Sequence, residues 1–209
     1  MKTAILFDLD GTLLDTLEDI VLAVNHVLQE LGYPQRTWEE VRNFVGNGAL
    51  RLMEQAVPQG ADGRYAAECF QSYYSRNCQA HTRPYKGIPE VLAELSETYP
   101  IAIVSNKPDS AVKPLCAEHF PGVYAIGESP ACPRKPAPDM VYKAMADLGA
   151  DRCVYVGDSE VDVLTAQNAG VPCVSVLWGF RNRQDMEAVG GIHFCNGTED
   201  LVSCIEKLI

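Results

Sequence analysis

The chain has 209 residues, enough for one large core or for a core domain with a smaller inserted one. It carries 17 Lys and Arg against 28 Asp and Glu, a formal net charge of −11, which argues against nucleic acid as a partner. No run approaches the ~20 apolar residues that span a bilayer, and the amino-terminal residues do not form a signal sequence. We therefore expect a cytoplasmic protein that binds neither nucleic acid nor a membrane.

The eight cysteines contain no Cys-x-x-Cys pair, and most of them lie in apolar stretches. A structural zinc site usually shows close Cys or His spacing, which this chain lacks. We expect buried free thiols in a reducing compartment rather than disulfides.

The first predicted strand covers residues 4–8 and ends in two acidic residues, Asp8 and Asp10. Alternate side chains of an extended segment point to the same side, so both carboxylates are expected to flank one small volume. Two anions that close together require a cation or a shared proton. Gly11 then allows a tight turn, and Thr12 adds a hydroxyl beside peptide N–H groups that can hold an oxyanion. The pattern predicts a nucleophile, an acid/base, a metal site and a phosphate-binding loop.

Residues 16–82 contain no convincing strand and are predicted to form an inserted helical domain. Apolar residues recur at helical spacing from Ile20 to Leu31. Thr37 and Glu40 have the spacing of a capping box, so a second helix is expected to begin there. Two further helices are predicted over 49–57 and 62–79.

Beyond the insert, short apolar runs alternate with helical patterns, which predicts a doubly wound parallel sheet covered by helices on both faces. The later strands are expected at 101–105, 123–126, 153–157 and 172–176. Polar side chains follow the ends of these strands, where ligands bind in open parallel sheets. Ser105 and Asn106 follow one strand, Asp158 and Asp162 follow another, and Lys135 precedes a helix between them.

These four motifs, in this order, resemble the signatures of the haloacid dehalogenase superfamily, most of whose members are magnesium-dependent phosphohydrolases. The resemblance implies a Rossmann-like α/β core, here 1–15 and 83–209. It also implies that residues 16–82 form the helical cap, hinged near Asp15 and near Arg83, which closes over the site during turnover. A rigid helical subdomain that does not close is the alternative.

The resemblance also implies a role for each residue. Asp8 would be the nucleophile that accepts a phosphoryl group, and Asp10 would be the general acid/base. Mg²⁺ would be held by the Asp8 and Asp158 carboxylates and by the main-chain carbonyl of Asp10, with Asp162 contacting a ligand rather than the ion. The residues that would bind the phosphoryl group are Gly11, Thr12, Ser105 and Lys135. Asn106 would position either the phosphate or Ser105.

Substrate specificity is less constrained by the sequence. Gly48 and Arg51 resemble the substrate-facing cap loop of phosphoglycolate-phosphatase-like members, and Arg51 could bind a substrate carboxylate. A turn between helices and an exposed helical arginine explain the same residues. The last predicted strand is followed by Trp178, Gly179, Phe180 and Arg181, which either border the mouth of the pocket or lie outside it. We expect a small phosphorylated metabolite as substrate, with phosphoglycolate first, and a monomer or weak homodimer.

Individual residues distinguish this chain from some other members of the superfamily. Dehalogenases lack an acid at the position of Asp10, and phosphonatases use a cap lysine, whereas residues 16–82 contain none. Sugar-phosphate mutases retain both acids and a helical cap, so a phosphotransferase remains the alternative. A receiver-like signalling domain has similar chemistry, but its ~120 residues leave no place for the insert.

Overall fold

The computed structural model describes all residues 1–209 and divides the chain into two compact units. One unit consists of Met1–Leu14 and Pro84–Ile209 and has an α/β architecture. The other unit, Asp15–Arg83, is built from four helices.

The α/β unit contains a six-stranded parallel sheet. Its strands are β1 Thr3–Phe7, β4 Ile101–Pro108, β5 Tyr124–Glu128, β6 Arg152–Gly157, β7 Cys173–Val176 and β8 Phe194–Cys195. They lie in the order β5-β4-β1-β6-β7-β8. From the central β1 the chain adds β4 and β5 on one side and then β6 to β8 on the other, so the predicted doubly wound sheet is confirmed. Only β8 was not predicted, since two residues are too short to give a periodic pattern.

Both faces of the sheet are buried, because successive residues of β1 enter two different cores. Ile5 and Phe7 belong to one apolar cluster, and Ala4 and Leu6 belong to the other. This explains why the strands are continuously apolar rather than alternating. The covering helices are α5 Ile88–Ser96, α6 Asp109–His119, α7 Asp139–Leu148, α8 Glu160–Ala169, α9 Arg183–Ala188 and α10 Leu201–Glu206, with a 3₁₀ turn at Thr198–Asp200.

The insert consists of the four helices expected from the sequence: α1 Leu17–Glu30, α2 Trp38–Phe44, α3 Gly48–Ala56 and α4 Gly63–Asn77. The predicted capping box is present, because the Thr37 side chain accepts from the Glu40 N–H and the Glu40 side chain accepts from the Thr37 N–H. Two short strands, β2 Leu14–Asp15 and β3 Arg83–Pro84, pair where the chain passes from one unit to the other.

The two ends of the insert are joined by Asp19, a buried acid in the first turn of α1. Its carboxylate accepts hydrogen bonds from the main-chain N–H groups of His81 and Thr82 and from the Thr82 hydroxyl, the last two at 2.8 Å. A buried carboxylate needs such partners, so Asp19 fixes the returning chain against α1.

The register of the central strands brings the predicted motifs to one edge of the sheet. Phe7 lies beside Ile103 of β4 and Val156 of β6. Asp8 therefore leaves β1 at the level where Asp158 leaves β6, and Ser105 lies at nearly the same level inside β4. None of the ten α-helices combines the length and the apolar character needed to cross a lipid bilayer.

Candidate active site

A buried acidic cluster lies at the carboxyl ends of β1 and β6. It consists of Asp8, Asp158 and Asp162, each offering one carboxylate oxygen within 4.8 Å of the others. Their exposed fractions are 8%, 1% and 0%. Three carboxylates so close together in a buried place must be balanced by cations or protons.

Lys135 supplies one positive charge to this cluster. Its Nζ lies 2.7 Å from Oδ1 of Asp8 and 2.7 Å from Oδ1 of Asp162, so the ammonium bridges the two acids. The Tyr155 ring lies beneath it at 5.7 Å, and the Tyr155 hydroxyl lies 3.3 Å from Asp162 Oδ1. Tyr155 is fully buried and was not predicted as part of the site, because in the sequence it is an ordinary member of an apolar strand.

Negative charge still exceeds positive charge inside the cluster, and the pKa values of two of its acids are raised. Burial raises the pKa of Asp158 to about 7, and the neighbouring Asp162 carboxylate adds to the effect. Burial also raises the pKa of Asp8 well above its usual range, with Asp162 adding to this and Lys135 opposing it. Burial lowers the pKa of Lys135, but Asp162 and Asp8 together outweigh that effect and keep the ammonium charged.

Asp158 lies in a narrow slot between two glycines. A methyl group on Gly11 or on Gly179 would overlap the Asp158 carboxylate, so both positions require the absence of a side chain. Asp158 Oδ2 accepts a 2.6 Å hydrogen bond from the Phe180 N–H, and Oδ1 accepts a longer one, 3.3 Å, from the Thr12 hydroxyl. The loop after β1 and the loop after β7 therefore hold this acid together.

Asp162 is already engaged through both carboxylate oxygens. Oδ1 contacts Lys135, and Oδ2 accepts hydrogen bonds from the Ser159 N–H at 3.1 Å and the Ser159 hydroxyl at 2.6 Å. Helix α8 begins directly after Ser159, so Asp162 also caps its first turn. These contacts agree with a role in fixing Lys135 and leave Asp8 and Asp158 as the more available oxygen donors.

The segment after Val104 contributes three consecutive polar residues. Ser105 is buried, and its hydroxyl accepts a 3.1 Å hydrogen bond from the Lys107 N–H. The Asn106 side chain exchanges two hydrogen bonds with the main chain of Lys135, at 2.6 and 3.1 Å. Asn106 thus positions Lys135, a contact that the sequence did not indicate.

Lys107 is a second cation at this edge of the sheet and was missed in the sequence. Its Nζ lies 3.0 Å from Oδ1 of Asp10, and its side chain is only 7% exposed. The available signal was its position two residues after Ser105, which places both side chains on the same side of an extended segment.

Of the remaining predicted residues, two belong to the helical unit, and the third contacts the loop after β1. Gly48 is the first residue of α3, and Arg51 on the same helix forms a 2.9 Å ion pair with Glu54; both belong to the helical unit. Trp178 belongs to the α/β unit, and its indole N–H donates to the Thr12 carbonyl at 3.1 Å.

The donor set fits a hard divalent cation. Asp8 and Asp158 offer carboxylate oxygens, and the uncompensated charge described above is of the sign that a cation would balance. Oxygen-only ligands with one or two protein carboxylates are what Mg²⁺ takes in proteins. The cluster contains no Cys or His that would favour zinc.

Comparison with known proteins agrees with this geometry. Residues 5–176 match the family model of the haloacid dehalogenase-like hydrolases. The chain is 35% identical over 191 residues to a phosphoglycolate phosphatase of Pseudomonas savastanoi pv. phaseolicola, covering 85% of this chain and 70% of that protein. It is 33% identical over 182 residues to a phosphoglycolate phosphatase of Aquifex aeolicus, covering 84% of this chain and 85% of that one.

Solved structures give the same result. A phosphoglycolate phosphatase candidate from Lactobacillus delbrueckii subsp. bulgaricus superposes with a TM-score of 0.91 at 33% identity, covering 98% of this chain and 99% of that chain. A haloacid dehalogenase-like family hydrolase from Streptococcus pneumoniae superposes with a TM-score of 0.88 at 25% identity, covering 97% of each chain. The chain therefore belongs to the haloacid dehalogenase-like hydrolase family. Within that family it is an enzyme of the phosphatase class, as the motifs predicted.

Proposed function

We propose that the protein hydrolyses a small phosphate monoester by transferring the phosphoryl group to Asp8. The observation that carries this proposal is the buried contact of the Asp8 carboxylate with Lys135, beside a second acid, Asp158, whose pKa is raised to about 7 by burial and by Asp162. Hydrolysis of a phosphate monoester needs up to ~10²¹-fold acceleration. A carboxylate nucleophile divides that barrier into two smaller steps.

The chain's own groups have distinct roles in this proposal. Asp8 attacks phosphorus and forms an acyl phosphate, which water then hydrolyses. Asp10, two residues further, gives a proton to the leaving oxygen and later takes one from the attacking water. The Lys135 ammonium offsets negative charge on the phosphoryl oxygens, and the Ser105 hydroxyl donates a hydrogen bond to them, with main-chain N–H groups near Gly11 and Thr12 as further donors.

We also propose that Asp8 and Asp158, with the main-chain carbonyl of Asp10, hold Mg²⁺. When bound, the ion reduces the repulsion between the Asp8 carboxylate and the anionic phosphoryl group. Asp162 keeps Lys135 in place instead of binding the ion.

We propose phosphoglycolate as the first substrate to test. Support comes from the phosphoglycolate phosphatases that are about one-third identical to this chain over the aligned residues. In this proposal residues 16–82 form the cap, and Arg51 and Gly48 contribute to recognition of the substrate carboxylate. The two-residue strands at 14–15 and 83–84 are the proposed hinges.

The test is release of inorganic phosphate by purified protein with Mg²⁺ from a panel of phosphorylated metabolites that includes phosphoglycolate. Asp8→Asn should abolish release while circular dichroism and the melting temperature stay close to those of the wild type. Retention of full activity by Asp8→Asn would refute the nucleophile, and an isomerised sugar phosphate in place of free phosphate would refute the hydrolase in favour of a mutase.

A further inference from the structure

We propose that residues Trp178–Arg181, which we name the 178–181 segment, are positioning residues that aim one oxygen of Asp158 at the bound cation. The inference rests on the metal site proposed above. The segment follows β7, which lies next to β6 but is separated from β1 by that strand. It nevertheless contacts the loops that follow both β1 and β6.

The first of these contacts reaches the loop after β1. The Trp178 indole N–H donates a 3.1 Å hydrogen bond to the main-chain carbonyl of Thr12. Thr12 in turn contacts Asp158 through its hydroxyl. The indole therefore ties the β7 loop to the loop that follows the nucleophile.

Gly179 supplies the space that the acid occupies. A methyl group at this position would overlap the Cβ and Oδ2 of Asp158 and would lie 2.5 Å from the Gly11 carbonyl oxygen. The Gly179 backbone is not in the left-handed region, so glycine is required there by space and not by conformation. Any side chain at 179 would push the Asp158 carboxylate out of its slot.

Phe180 distinguishes the two oxygens of Asp158. Its N–H forms the 2.6 Å hydrogen bond to Oδ2, whereas Oδ1 has only the 3.3 Å contact with Thr12 Oγ1. A carboxylate with one oxygen held by a main-chain donor has a fixed orientation. Oδ1 is then the oxygen presented to the cation.

Arg181 anchors the other end of the segment. It is 9% exposed, and its Nε lies 3.0 Å from Glu160 Oε2 at the start of α8. Glu160 stands two residues after Asp158, so the ion pair links the segment to the acid's own loop. The segment is thus fastened on both sides of Asp158.

The experiment measures Mg²⁺ binding directly by isothermal titration calorimetry and by the Mg²⁺-dependent rise in melting temperature. Gly179→Ala should raise the dissociation constant for Mg²⁺ by at least about tenfold, in keeping with the loss expected when support of a metal ligand is removed. Circular dichroism should remain that of the wild type.

Gly191→Ala is the matched control. Its new methyl group would lie 2.9 Å from the Met186 carbonyl oxygen, so it introduces similar crowding against a backbone atom, and its backbone is also outside the left-handed region. No acid of the cluster is among the contacts of that methyl group. We expect Gly191→Ala to bind Mg²⁺ as the wild type does, even if it is less stable.

Trp178→Phe tests the same inference without crowding, since it keeps an aromatic ring but removes the indole N–H and part of the ring volume. We expect its Mg²⁺ dissociation constant to rise several-fold. If Gly179→Ala does not fold, this variant alone tests whether the 178–181 segment positions Asp158. Wild-type affinity in both variants, or equal losses in Gly179→Ala and Gly191→Ala, would overturn the positioning role. Absence of Mg²⁺ binding by the wild type would instead overturn the metal site itself.

Discussion

The Lys107 ammonium lies 3.0 Å from Oδ1 of Asp10, and both side chains are largely buried. Asp10 is the proposed acid/base, so this ion pair fixes the orientation of the group that must reach the leaving oxygen. A second cation near the nucleophile, Lys135, contacts different acids, so the two lysines serve different parts of the site.

We predict that Lys107→Met slows hydrolysis most for substrates with poor leaving groups. General acid catalysis accelerates a reaction roughly 10²–10⁴-fold. If the acid is misplaced, we expect kcat/KM for alkyl phosphates to fall by about 10–100-fold. Aryl phosphates such as p-nitrophenyl phosphate need little protonation and should lose less. The measurement is kcat/KM against the leaving-group pKa, which should give a steeper slope in the variant.

The control for this prediction is Lys113→Met, which removes the same charge from an exposed ion pair with Asp109 on α6. Its slope should match that of the wild type. An equal loss for every leaving group in Lys107→Met would mean that Lys107 does not position the acid.

The raised pKa of Asp158 predicts that the metal-free protein loses stability as the pH rises. The carboxyl of Asp158 has a pKa of about 7 in the folded protein and about 3.8 in the unfolded chain. At a pH between these two values, the folded state therefore binds more protons than the unfolded state. The contribution of Asp158 to the free energy of unfolding therefore falls between about pH 4 and pH 7. Melting temperatures in EDTA across this range measure the effect, and Asp158→Asn should remove part of the decline.

Mg²⁺ should reverse this loss, because it stabilises the ionised form of the same carboxylate. At a concentration 100 times its dissociation constant, a ligand adds about 2.7 kcal/mol to the free energy of unfolding. For a chain of this size that raises the melting temperature by roughly 5–10 °C. The increase should be larger at pH 8 than at pH 5.5. Asp147→Asn, which alters an exposed acid whose pKa is lowered by its contact with Lys143, is the control and should leave both effects unchanged.

Arg51 gives a prediction about specificity. We expect Arg51→Gln to raise KM for phosphoglycolate about tenfold or more while changing KM for p-nitrophenyl phosphate little, because only the first carries a carboxylate. Arg76→Gln, on the exposed side of α4, is the control. Parallel changes for both substrates in Arg51→Gln would remove Arg51 from substrate recognition.

The cysteines provide a test of the fold that is independent of catalysis. Burial raises the pKa of the Cys116, Cys153 and Cys195 thiols to about 12, and the exposed fraction of each side chain is 2% or less. At pH 8 only about one in 10⁴ of each would be thiolate, so they should resist iodoacetamide. The half-buried Cys69 and Cys204 should be modified first, and all eight should react in urea. Peptide mapping by mass spectrometry identifies the order, and early alkylation of Cys153 would contradict it.

Local patterns in the sequence determined most of the architecture. The apolar runs of the strands, the helical spacing in the insert and the capping box at Thr37 all depend on neighbours within a few residues, so each could be predicted without knowledge of the rest of the chain. The motif at Asp8 and Asp10 likewise indicated chemistry, because two acids after a buried strand have a high cost unless they are used.

Only the tertiary structure decided which distant residues meet. Lys135 bridges Asp8 and Asp162, Lys107 contacts Asp10, and the 178–181 segment encloses Asp158, although these partners are separated by 20 to more than 120 positions. Such contacts depend on strand order, register and the packing of loops, which leave no periodic signal in the sequence. The same physics explains the titration of Asp158, since burial and neighbouring charge arise only when the folded chain excludes water from that edge of the sheet.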